Sequence, residues 1–225
     1  LNGTESGWNY LWDPHKILHF VDCTKPIIIN GNGCTIKCTD NLKFGAFDSS
    51  GNPVGMNVGT PSSPYIGMIY AQDCSGDIVI RDLELDGNID AADIGGGWGD
   101  VGWQIPNSGI QLDNCTGKTF ICNVEAYNHG LDGCVVKQAL TAQHSRYPGT
   151  MINVDLHHNM RQGLSFVGGS GWTFIGCKFN YTGVGLAQAS NPKAGCDIEG
   201  EGGNLCSQLT FLNCEFMWNS GVGLV

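Results

Sequence analysis

The sequence is poor in charge, and poorest in positive charge: Lys and Arg number 11 against 21 Asp and Glu, for a formal net charge of -10. That deficit argues against nucleic acid or an anionic membrane surface as a partner. Charged residues reach only 14%, too few for a disordered chain, and the Ala, Leu, Glu and Lys excess of a helical bundle is missing. No apolar run of about 18 residues exists, so no helix is expected to insert in a membrane. No Cys-x-x-Cys pair stands with a second pair or with spaced histidines, which leaves no structural zinc motif. Neither an initiator Met nor a basic-then-apolar leader opens the chain at Leu1, and it stops at Val225 inside a strand-like run. It reads as one domain over 1–225, a fragment cut at both ends.

Glycine is abundant instead, with 34 positions, as many short strands joined by tight corners would require. The 11 cysteines recur in equivalent contexts: Cys23, Cys74 and Cys115 in DCTK, DCSG and NCTG, Cys177 and Cys214 in FIGCKF and FLNCEF. Free Cys packs as a small hydrophobe, and equivalent positions in successive repeats stack. Reduced, buried thiols in a chain folded in a reducing compartment are therefore expected rather than disulfides.

The repeats are the strongest signal. Gly109, Gly133, Gly163, Gly195 and Gly221 each precede a short alternating run and are separated by 24, 30, 32 and 26 residues, a solenoid period. A second register agrees: DIVIRDLELDGN, KTFICNVEAYNHG, TMINVDLHHNMRQG, WTFIGCKFNYTG and LTFLNCEFMWNSG each join an alternating strand to an Asn or Gly corner. Such a unit becomes stable only by stacking on its neighbours. Period variation predicts inserted loops over Gly45 to Pro64, Asp90 to Asn107, Ala139 to Gly149 and Gly185 to Lys193, gathered around one strand column to make a groove.

The NGNGCTI run, the TFxNCxF-like strands and the NxGxxG corners resemble the single-stranded right-handed parallel β-helix of the pectate-lyase-like superfamily, an all-β solenoid, over nearly the whole chain from Ile17. That group includes polysaccharide lyases, polygalacturonase-type hydrolases, mannuronan C5-epimerases and bacteriophage tailspike depolymerases. The resemblance implies a bacterial polysaccharide as partner, no cofactor, a parallel homotrimer of the tailspike kind, and a place on a virion tail or outside the cell. NHGLDG is similar to an epimerase corner, and Arg161 matches that family's Arg. Gln162, however, stands where the epimerase has its His, and Gln111 and Asp113 stand where it has its catalytic Asp and His. The scaffold is shared without the epimerase's acid and histidine.

Alternation assigns the faces. If Ile110 and Leu112 face the core, the outward column reads Gln111 and Asp113, Val135 and Lys137, Ser165 and Val167, Asp197 and Glu199, then Gly223 and Val225. In GCDIEGEGG, Asp197 and Glu199 then lie about 6.6 Å apart along one strand, with Glu201 following, a spacing compatible with the acid and base of a glycosidase. Close carboxylates raise one another's pKa, as a general acid needs. The competing reading is an exposed strand edged with charge for solubility. Asp132, near two glycines, reads first as a corner residue bonding its own backbone and second as a catalytic or substrate-positioning candidate in the groove.

A lyase or epimerase must neutralise a uronate carboxylate and move the C5 proton, roles open to Lys137, His144, Arg146 and Tyr147. A polar loop tip would look the same. Trp98 and Trp103 could stack on sugar rings or cover the solenoid as satellite cores. Asp86, Asp90, Asp93 and Asp100 could recruit calcium, as lyases of the superfamily do, although their spacing matches no compact calcium loop. His157 and His158 are expected at a corner. The expected function is cleavage of a capsular or exopolysaccharide by a glycoside hydrolase, with a polysaccharide lyase or epimerase and a non-catalytic carbohydrate-binding β-helix as alternatives.

Overall fold

A computed structural model describes residues 3–5, 8–12, 16–54, 66–96, 104–138, 148–185 and 191–225. The fold is all-β. Strands Leu18–Val21, Gly67–Gln72, Ser108–Asp113, Asp132–Lys137, Gln162–Ser170 and Ala194–Ile198 stack in that order, each parallel to the next, to form what is here termed the site sheet. The second sheet stacks Ile27–Lys37, Ile78–Asp86, Thr119–Tyr127, Gly149–His157, Thr173–Ile175 and Thr210–Leu212 in the same way. The chain alternates between the sheets and pairs each strand with its equivalent one coil on. This is a parallel β-helix with its core between the two sheets.

The register is set residue by residue. Ile110, Cys134, Leu164 and Cys196 pair in succession and all face the core, while Gln111, Val135, Ser165 and Asp197 pair in succession on the other face. A slip of one residue would exchange the two columns, burying the polar one. Second-sheet strands bend at Asp82, Asn123 and Asn153, all with φ near the left-handed region at 52–53°. Asn and Asp tolerate that conformation. The bend also builds a ladder: Asn123 Nδ2 donates to Asp82 Oδ1 at 2.9 Å and Asn153 Nδ2 to Asn123 Oδ1 at 2.9 Å.

The repeated glycine has a steric cause. A Cβ on Gly109 would lie 2.5 Å from the Gly133 carbonyl oxygen, one on Gly133 2.8 Å from that of Gly163, and one on Gly163 2.5 Å from that of Gly195. Stacked coils come too close there for any side chain. The series continues from Gly195 to Gly223, 2.7 Å away, and the bridge between Cys196 and Leu224 fixes the register. The sequence alignment had placed Gly221 in that column. The last coil is two residues longer than that alignment assumed, so Val225, not Gly223, lies beside Asp197.

Aromatic side chains fill the later coils. Phe174 stacks on Phe211 with centroids 4.5 Å apart, and Phe179 on Phe216 at 5.1 Å, with Trp172 and Phe166 fully buried beside them. All eleven cysteines are free; six are buried, whereas Cys34 is exposed and Cys23, Cys122, Cys206 and Cys214 are half-buried, so burial is general only in the core-facing positions. Burial pushes the Cys115 thiol up to about 12 and that of Cys177 to about 11, so both stay protonated hydrophobes.

One part has no counterpart in the sequence reading. Trp8–Trp12 pairs antiparallel with Lys43–Phe47, which pairs in parallel with Asp93–Gly95, giving a small separate sheet. Phe44, Ile89, Ile105 and Met160 form its own apolar cluster. Two expected inserted loops thus contribute strands at their edges.

Candidate functional site

The outward face of the site sheet holds a cavity of about 190 Å3. Its floor follows the pairing register: Tyr70 beside Gln111, Gln111 beside Val135, Val135 beside Ser165, Ser165 beside Asp197. A second row along the same walls carries Asp113, Lys137, Val167 and Glu199, with Glu201 at the rim. A bulge between Val136 and Lys137, where Lys137 pairs with Gly168, lets this row depart from strict pairing.

The acidic end sits on Ala194–Ile198 and the turn after it. Asp197 is buried at 6% exposure, and Gln162 Nε2 donates a short hydrogen bond to its Oδ2. Burial first, and the neighbouring Glu199 second, raise the Asp197 pKa above the ordinary carboxylate value, against the pull of Arg161. Glu199 and Glu201 are more open to solvent. One carboxyl is thus biased toward the protonated form beside two accessible carboxylates.

At the other end Asp113 is half-buried and its pKa is raised by burial, with Lys137 pulling it down. Burial first, and the neighbouring Asp113 second, push the Tyr70 phenol up to about 12. Tyr70 also stacks on His19 with centroids 5.0 Å apart. Three coils separate Asp113 from Glu199, about 14 Å at the usual strand spacing.

Between them lies an ion pair. Arg161 Nε donates to Asp132 Oδ1 at 2.9 Å and its second guanidinium nitrogen to Oδ2 at 2.5 Å, a bidentate fork with Asp132 at 0% exposure. Arg161 lines the cavity and Asp132 does not. Asp132 is therefore corrected from a catalytic candidate to a positioning residue that holds Arg161 from beneath. Nor is it a self-bonded corner: it opens the strand Asp132–Lys137, and its carboxylate goes to Arg161.

The structure brings Gln111, Asp113, Lys137, Arg161, Asp197, Glu199 and Glu201 together on one groove. Trp98, Trp103, His144, Arg146 and Tyr147 lie outside the described residues. For calcium, Asp86 is already paired with Lys37 at 3.2 Å, Asp100 lies outside the described residues, and no cluster of three metal-binding side chains occurs among those described. His158 does sit at a left-handed corner, at φ 53°, stacked on Tyr181.

Sequence reasoning missed Tyr70 and Gln162 as groove residues, whereas Ser165 stood in the outward column and lines the groove. Tyr70 was legible, since the alternation in GMIYAQ puts it one coil before Gln111. Gln162 was passed over because it stood in place of a histidine, yet it is the donor on Asp197.

Fold and groove together define a class: a parallel β-solenoid with an acid-rich groove on its outer strand face. Comparison of the chain with protein-family models, curated proteins and solved structures finds no match in any of the three.

Proposed function

We propose that the protein is a polysaccharide-degrading glycoside hydrolase and that the groove on the site sheet is its active site. The observation that carries this is the pairing of a buried Asp197, its pKa raised, with a more accessible Glu199 two residues on, just past the end of the strand Ala194–Ile198. In this reading Asp197 gives its proton to the glycosidic oxygen as the bond breaks. Gln162 occupies one carboxyl oxygen, which leaves the other to carry that proton. Glu199 takes a proton from the water that adds to the anomeric carbon. Arg161, pinned by Asp132, fixes the sugar that spans the bond.

The resemblance to tailspike depolymerases supports a bacterial capsule or exopolysaccharide as substrate, a homotrimeric assembly and an extracellular or virion setting. Mass spectrometry of products from a panel of purified polysaccharides tests the chemistry. Hydrolysis gives fragments carrying an added water, and Asp197→Asn should lower kcat by about 100-fold or more with the fold intact. Unsaturated fragments would shift the assignment to a lyase centred on Lys137 and Arg161. Retention without shortening would leave a carbohydrate-binding module.

A further inference from the structure

Two groove groups are left over by the acid–base chemistry. Gln111 lines the cavity at 3% exposure, and its Oε1 accepts no hydrogen bond from any described residue. Gln162 is equally buried; its Nε2 is given to Asp197, while its Oε1 likewise accepts nothing among the described residues. A buried acceptor left unmade is costly, so each calls for a donor from whatever fills the groove.

The charges point the same way. Four acidic lining side chains, Asp113, Asp197, Glu199 and Glu201, face two cations, Lys137 and Arg161, and Arg161 is already bidentate to Asp132. Lys137 lies close to Asp113. A uronate would bring a further negative charge to a lining in which acidic side chains outnumber the cations two to one, so like-charge repulsion opposes it.

We propose that the groove selects glycan units that are neutral or carry free amines, that it excludes uronates, and that sugar hydroxyl or amino hydrogens are donated to Gln111 Oε1 and Gln162 Oε1. This deepens the reading above and rests on the groove being the glycan site.

Affinity electrophoresis of the full chain through gels containing a neutral glucan, a soluble amine-bearing chitosan derivative or a polygalacturonate reads binding separately from cleavage. Retardation by the neutral or amine-bearing polymer and none by the polyuronate is expected. Gln111→Leu should weaken it about tenfold, the loss of one hydrogen bond, which separates groove binding from general attraction of an acidic protein to a polycation. Gln111→Met serves as a second variant if the first fails to fold. Retardation by polygalacturonate, an unchanged affinity in a folded Gln111 variant, or no retardation by any gel overturns the proposal. Binding without shortened products would instead remove the hydrolase reading and leave this one standing.

Discussion

Asp132 and Arg161 show how one buried pair serves a surface site. The guanidinium sits at the groove wall and the carboxylate is wholly enclosed behind it, so the fork can be satisfied in only one orientation. Burial pushes the Asp132 pKa up and Arg161 pulls it down. Removing one partner strands the other charge: Asp132→Ala should cost about 3–5 kcal/mol in urea unfolding, whereas replacing both residues by apolar ones of similar volume should cost far less. Activity should fall in both cases, because the single variant leaves Arg161 without the carboxylate that orients it and the double variant removes Arg161. The Asp197 proton carries a second residue-scale expectation. A general acid works only while protonated, and its pKa is raised, so the alkaline limb of kcat/KM should lie above the ordinary carboxylate value. Gln162→Leu removes the donor that stabilises the carboxylate and should move that limb further up. A limb that stays in place would mean that another group titrates.

At the scale of elements, the coil repeat depends on close backbone approach at one glycine per turn. Gly163→Ala sets a Cβ 2.5 Å from the Gly195 carbonyl, where backbone rather than a flexible side chain must give way. Destabilisation by about 1–3 kcal/mol is expected, read as a lower urea midpoint. Gly176→Ala is the contrast, since a Cβ there meets nothing within 4 Å and only its φ of 60° resists. It should cost less. The same stacking that demands glycine at one corner lets asparagines form a ladder at another and aligns Cys134 with Cys196, two coils apart, in the core.

Across the whole molecule, excess acid and burial combine. Asp113, Asp155 and Asp197 all have pKa values raised by burial, while Asp48 is lowered by hydrogen bonds from its own turn. For the raised groups the folded state holds protons more tightly than the unfolded chain. The stability they contribute is full below the ordinary carboxylate pKa and is lost as pH rises through their folded values. The net charge of -10 adds repulsion that also eases on acidification. The urea midpoint should therefore rise as pH falls from about 7 to about 5; a midpoint that falls over that range would show that paired carboxylates dominate instead.

The sequence by itself determined the solenoid, because repeats of glycine, alternation and Asn corners are local requirements that every coil must meet in the same way. It also determined which side chains face outward, since a strand has only two faces and the apolar set takes the core. That was enough to place Gln111, Asp113, Lys137, Asp197 and Glu199 on one surface. Tertiary structure alone decided the rest. Whether Asp132 meets sugar or Arg161 depends on a residue 29 positions away, brought over it by one turn of the helix. The pairing of Gln162 with Asp197 spans 35 residues across strands that only stacking brings together. The small mixed sheet and the two-residue shift in the last coil depend on contacts between separate segments rather than on local pattern. Local pattern fixes the faces of a β-solenoid, and the depth of burial that sets each side chain's partner and charge exists only once the coils are stacked.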